Sequence, residues 1–143
     1  MRTFPLERRL SAAGEELAQA AGQTMARWLI LEAIDDRPSS VAEVGRALYL
    51  ARQGVQRVTD LLEADGMVTY EDNPRHARAK LVAITPVGRD ALRRIQRDQR
   101  SWANRLGERL GQDSLERAAS VLDAMLAAVT DDMPHGRASE TAE

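Results

Sequence analysis

The chain has 143 residues, one domain of ordinary size, and can bury roughly 70% of its unfolded surface without a disulfide or structural metal. With no Cys and two His, it excludes thiol chemistry, disulfide scaffolds and thiolate metal sites, and it calls for no cofactor and no transition-metal site. Its net charge of −2 hides a basic middle, since Gly45 to Arg100 holds ten Arg and Lys80 against seven acids, with an excess of acids outside it.

No apolar run approaches the roughly 18 residues of a membrane span and no signal peptide opens the chain, so a cytoplasmic protein without a membrane partner is expected. Leu6, Leu10, Ala13 and Leu17 recur at helical spacing and predict a first helix, interrupted at Ala21 to Thr24. Thr24 can cap a second helix carrying Met25, Trp28, Leu29, Leu31 and Ile34, and Pro38 forbids its continuation. Ser40 followed by Glu43 is a capping-box pattern, opening a short helix through Leu48. After a break at Tyr49 to Ala51, a longer helix follows. Val55, Val58, Leu61 and Leu62 share its apolar face, and Gly66 stops it.

Two β-prone runs, Met67 to Glu71 and Lys80 to Ile84, flank the polar loop from Asp72 to Arg78 and read as a hairpin. Thr85-Pro86 announces another helix, with Leu92, Ile95, Trp102 and Leu106 as its stripe and Gly107 and Gly111 weakening its end. Asp113 and Glu116 suggest a capping box for a last helix bearing Leu115, Ala119, Leu122, Leu126 and Val129. From Asp131 onward the chain is polar and is expected to be a disordered tail. A helix-turn-helix followed by a hairpin is the winged helix arrangement, so the expected class is mainly α (α+β) with a two-stranded wing.

The basic middle suits DNA. A recognition helix offers long polar side chains to base edges in the major groove, and Arg52, Gln53, Gln56 and Arg57 meet that need. Arg can pair bidentately with guanine and Gln with adenine. Gly54 allows the helix backbone to approach DNA closely. Arg75, Arg78 and Lys80 gather three cations on the hairpin, suited to phosphates or a narrow minor groove. A solvated helix face and a solubilising charge run explain each patch separately, but not their coincidence on one frame.

The segment Ala42 to Gly88 resembles the DNA-binding domain of the MarR family of bacterial transcriptional regulators. The likeness rests on Val44-Gly45-Arg46-Ala47-Leu48, Arg52, Val55, Val58 and Asp60, and on Leu62-Glu63-Ala64-Asp65-Gly66-Met67-Val68. It continues through Asn73-Pro74, Arg78-Ala79, Leu81-Val82 and Ile84-Thr85-Pro86-Val87-Gly88, with Thr24 to Leu31 matching a further family pattern except that Arg27 stands where Gln is usual. The resemblance implies a homodimer, in which residues 1–34 and 89–130 provide supporting and dimerisation helices around a DNA-binding domain at 35–88, with 131–143 as the tail. Two winged helices then face successive major grooves about 34 Å apart on a pseudo-palindromic operator. Carried over by position, Arg52, Gln53, Gln56 and Arg57 contact bases or phosphates, Ser40 and Thr59 are secondary phosphate candidates, and Arg78 enters the minor groove. His76 stands where the family commonly has an Asp that holds the wing Arg, leaving that task to Asp72 or Glu71.

Many members of the family release DNA when a small aromatic or anionic effector binds, which nominates Met25, Arg27, Trp28, Ile95, Gln99 and Trp102; the competing assignment puts both Trp in the core. No G-x-S-x-G, P-loop, H-E-x-x-H or paired-carboxylate signature supports an enzyme. The expected function is a sequence-specific transcriptional regulator, with repression as the family's usual mode. The alternative is a winged helix that binds protein as an adaptor or antirepressor, and a third reading is a constitutive regulator with no ligand.

Overall fold

A computed structural model describes residues 3–76 and 78–132, which fall into two compact units divided between Arg100 and Ser101. The first unit contains α1 (Thr3–Ala20), α2 (Met25–Ala33), β1 (Ser39–Ser40), α3 (Val41–Leu48), α4 (Arg52–Ala64), β2 (Val68–Glu71), β3 (Leu81–Ile84) and the beginning of α5 (Pro86–Leu110). The second holds the end of α5 and α6 (Gln112–Asp132).

Local chemistry sets most boundaries of the first unit. The Thr24 side chain accepts from the Arg27 N–H at 3.3 Å and opens α2. At α3 both halves of the capping box form: Ser40 Oγ accepts from the Glu43 N–H, and the Glu43 carboxylate accepts from the Ser40 N–H at 2.7 Å. Gly66, at φ 69°, ends α4 in the left-handed region and turns the chain into β2. The Thr85 hydroxyl accepts from the Gly88 N–H at the start of α5 and donates to the Gly66 carbonyl at 2.7 Å.

The sheet has three strands, not two, in the order β1-β3-β2 and antiparallel throughout. Ser39 and Ser40 pair with Val82 and Leu81, while Val68 to Glu71 pair with Ile84 to Leu81. Two serines carry no apolar alternation, so β1 exists through its backbone bonds to β3 and not through its own propensity.

Ile30, Leu31 and Ile34 of α2 and the segment after it form the core with Val44, Val55, Leu62, Val82, Leu92 and Ile95. Three residues of the predicted apolar faces lie at the surface. Leu6 and Leu10 are about half exposed, and α1 instead turns Gly14 and Ala18 inward. Leu61 is likewise exposed, its expected inward position on α4 being taken by Thr59. Ion pairs join Arg27 of α2 to Asp65 at the end of α4, and Arg89 of α5 to Asp35 after α2, each at 2.6 Å.

In the second unit α5 continues through Gly107 to Leu110, and Gly111 at φ 81° makes the turn. Asp113 lies inside the first turn of α6, so the expected cap there is not the helix boundary; Gln112 Nε2 donates to Glu116 instead. Val121, Leu122, Met125, Leu126 and Val129 recur on one side of α6, and all are more than half exposed. This helix runs two residues into the expected tail, and residues 133–143, His135 among them, lie outside the described residues.

Candidate nucleic-acid interface

The turn between α3 and α4 orients the second helix. Tyr49 takes a left-handed conformation (φ 55°, ψ 35°), and the Leu50 N–H returns to the Gly45 carbonyl at 2.9 Å. A Cβ at position 45 would come within 3.0 Å of the Leu50 carbonyl oxygen, so glycine permits this close return. The chain then enters α4 with Val55, Thr59 and Leu62 turned to the core and Arg52, Gln53 and Arg57 exposed on the other side.

Across from this helix stands the loop between β2 and β3. Asn73 shapes its start, its side chain accepting from the Arg75 N–H at 2.9 Å and its carbonyl from the His76 N–H. Arg75, Arg78 and Lys80 are all exposed. Among the described residues no carboxylate pairs with them, nor with Arg52 or Arg57, so the expected anchoring of Arg78 by Asp72 or Glu71 is not formed.

Helix and wing meet in a cleft of about 290 Å³. Arg52 and Gln56 from α4 line it together with Arg78 and Lys80 from the wing, and no carboxylate does. Three cations line this concave surface, and Asp60, which does not line it but is bonded to its Gln56 and Tyr70, offsets only one of them, so the balance of potential there is positive. A second cleft, of about 360 Å³, lies along the wing and collects Arg37, Arg46, Arg75 and His76 around Glu43. Arg37 and Arg46 were not singled out in the sequence; only the fold brings them to the wing.

Three expected contacts change character. Thr59 is fully buried and donates its hydroxyl to the Val55 carbonyl at 2.8 Å, which removes it from any phosphate-contacting set. Ser40 is 8% exposed, and its hydroxyl is engaged with Glu43 as the cap of α3, so its role here is structural. Those bonds from the Ser40 backbone and hydroxyl hold the Glu43 carboxyl below its ordinary range, with help from Arg37 and Arg46. Gln56 is no free reader either. Its Nε2 donates to Tyr70 Oη and to Asp60 Oδ1 at 2.7 Å each, and Tyr70 Oη donates to the same Asp60 oxygen at 2.8 Å. Partial burial and the neighbouring Asp60 carboxylate push the Tyr70 phenol above its ordinary value, so it stays protonated and donates. In the sequence, Tyr70 signalled only a strand.

Of the effector candidates, two meet in the first unit's core. Trp28 and Ile95 belong to the core, with the Trp28 indole N–H donating to Glu32 at 3.1 Å. Arg27 is paired with Asp65, the Met25 N–H donates to Glu15, and Gln99 is exposed on α5. Trp102 lies in the second unit. Among the described residues, no group of three or more His, Asp or Glu side chains is arranged to hold a metal ion, and no helix is long and apolar enough to cross a membrane.

Comparison with known proteins adds sequence and fold relatives. The sequence model of the MarR family matches residues 21–79. An uncharacterized protein of Mycobacterium tuberculosis is 33% identical over 131 residues, covering 92% of each chain. The transcriptional activatory protein BadR of Rhodopseudomonas palustris is 29% identical, covering 99% of this chain and 83% of BadR. Among solved structures, a MarR family transcription regulator is 25% identical with a TM-score of 0.81, covering 92% of this chain and 90% of its own. The transcriptional repressor CouR, solved on a 23-mer DNA duplex, has the same fold at a TM-score of 0.79 and 23% identity, covering 88% of this chain and 92% of CouR.

Proposed function

This chain belongs to the MarR family of transcription regulators and is a DNA-binding regulator, not an enzyme; on that premise we propose that it binds a pseudo-palindromic operator in the cytoplasm as a homodimer. The observation that carries the reading is the acid-free cleft in which Arg52 and Gln56 of the recognition helix face Arg78 and Lys80 of the wing. Arg52, Gln53 and Arg57 are the base and phosphate contacts from α4, Gln56 meets a base from its tethered position, and Arg75, Arg78 and Lys80 serve the backbone or minor groove. A protein-binding adaptor fits this surface poorly, because its reading face should be acidic or apolar.

The apolar stripe of α6 and the exposed Phe4, Leu6 and Leu10 of α1 support self-association. They are surfaces that a second copy would cover, and a stable homodimer buries about 2,000 Å² or more. Repression by promoter occlusion, the family's usual mode, is the proposed sign; a reporter whose output rises with expression of the chain would reverse it. An anionic effector would have to compete with Asp65 for Arg27. A panel of phenolic and carboxylic compounds that moves neither indole fluorescence nor operator affinity would favour a constitutive regulator.

The test is selection of genomic fragments by the purified protein at two salt concentrations. Recovery of a pseudo-palindrome with half-sites about ten base pairs apart supports the reading, and salt-sensitive, sequence-blind binding opposes it. On the recovered operator, Arg57→Ala should cost about 1–3 kcal/mol and spare non-specific binding. Arg78→Ala should weaken both and lower the salt slope by about one. Unchanged binding by both variants would refute these assignments.

A further inference from the structure

The first unit contains a hydrogen-bonded triad that the DNA-binding reading does not require. Asp60 Oδ1 accepts from both Gln56 Nε2 and Tyr70 Oη, and Tyr70 Oη accepts from Gln56 Nε2, with the three distances between 2.7 and 2.8 Å. Gln56 and Asp60 are one helical turn apart on α4, whereas Tyr70 comes from β2 at the base of the wing. An isolated pair of exposed side chains on one helix turn is weakly held. The phenol changes this by tying the pair to a second element.

The chemistry of the partners fixes the orientation of the amide. A carboxylate only accepts hydrogen bonds, so Gln56 must turn its nitrogen toward Asp60. The Tyr70 hydroxyl spends its own proton on Asp60 and therefore also receives from that nitrogen. Both partners lie on one side of the nitrogen, because they are themselves in contact. The carbonyl oxygen is left as the opposite polar edge of a side chain that lines the cleft shared with Arg52, Arg78 and Lys80.

We infer that Tyr70 is a specificity-determining positioning residue, which through Asp60 holds Gln56 with its carbonyl oxygen toward the base it reads. Held this way, Gln56 selects a base that presents an amino group in the major groove. Adenine offers N6 and cytosine N4, while guanine and thymine offer acceptors at the corresponding edge. The outcome differs from that of a freely rotating Gln, which pairs bidentately with adenine and discriminates against cytosine. Tyr70 also lines that cleft, but its hydroxyl proton is spent on Asp60, so its part in the reading is to act through Gln56. This inference rests on the DNA-reading function proposed above.

The test uses the full chain and its selected operator, with every base substituted in turn in one half-site. Gln56→Ala first identifies the position at which base preference is lost. At that position the wild type should favour adenine and cytosine alike, by about fivefold or more over guanine and thymine. Tyr70→Phe removes only the hydroxyl, and Asp60→Asn removes the obligation to face nitrogen inward. Each should reduce that preference at least about threefold, or shift it to adenine alone, with the salt slope and the urea midpoint nearly unchanged. A merely structural Tyr70 would move the midpoint and leave the base preference intact. The inference is overturned if Gln56→Ala alters no base preference, if the wild type favours guanine or thymine there, or if both Tyr70→Phe and Asp60→Asn keep the wild-type preference. Absence of any sequence-specific wild-type binding would instead remove the DNA-reading function, and this inference with it.

Discussion

Gly88→Ala should destabilise the first unit even though alanine is the better helix former. Gly88 sits in the first turn of α5, against the turn that leads from α4 into β2. A Cβ there would fall well inside the 3.0 Å that real Cβ atoms keep from the Met67 carbonyl oxygen, and would reach 3.0 Å from Ile84 Cγ1. Neither side can yield cheaply. The Met67 carbonyl accepts the Thr85 N–H at 3.0 Å, and the adjacent Gly66 carbonyl accepts the Thr85 hydroxyl at 2.7 Å. Overpacking against fixed backbone costs about 1–3 kcal/mol, and each weakened hydrogen bond adds up to about 1 kcal/mol. Helix propensity returns at most about 1 kcal/mol. The net expectation is a loss of about 2–3 kcal/mol, read in urea as a lower midpoint at constant m. The sign alone discriminates, since a glycine with open surroundings would gain stability on the same change. A Gly88→Ala variant as stable as the parent would refute the reasoning.

Gly54 supplies the contrasting case. Nothing lies within 4 Å of a Cβ built there, so Gly54→Ala should raise stability by about 1 kcal/mol and Tm by roughly 2–4 °C. On the recovered operator the same variant should bind more weakly, because the methyl stands where α4 approaches DNA; equal or tighter binding would take Gly54 out of the interface. Glu43→Ala should cost about 1 kcal/mol at pH 7 by opening the α3 cap. Since folding lowers the Glu43 pKa, its contribution is present above the unfolded carboxylate range and is lost as pH falls through the folded value. The acid limb of the stability profile should therefore be shallower in Glu43→Ala than in the parent, and parallel limbs would contradict this. Leu126→Glu puts a charge in the apolar stripe of α6 and should shift the chain toward monomer in sedimentation equilibrium, with loss of operator affinity; an intact dimer would exclude that stripe from the interface.

What the sequence made legible was mostly local. Thr24, the Ser40–Glu43 box, Gly66 and Thr85-Pro86 each fix a boundary through atoms within a few residues, so their signals survive translation into structure. The hairpin was readable for the same reason, and β1 was not, because its stability comes from β3 some forty residues later. Thr59 misled because a hydroxyl bonded to the carbonyl four residues back is satisfied and can enter the core. Asp60 and Gln56 sat within the motif region, yet their tie to Tyr70 depends on how the wing folds onto α4. Leu6, Leu10 and the α6 stripe were correctly seen as apolar periodicities. Periodicity does not say whether the covering surface belongs to the same chain, and within the first unit Leu6 and Leu10 are left about half exposed.

The middle position of β3 reaches beyond the wing itself. One edge of this strand is bonded to Ser39 and Ser40, where α3 is capped, and the other to β2, whose Tyr70 grips α4. The wing strand is thus tied to the start of α3 through the backbone bonds of the sheet and to α4 through the Tyr70 side chain. On the proposed homodimer, the vocabulary of a half-site would be written in α4 and the wing, and the gap between two half-sites in the helices that join the two copies. The two can drift separately, so a lineage could lengthen its operator spacer without relearning a base, or learn new bases at a fixed spacing.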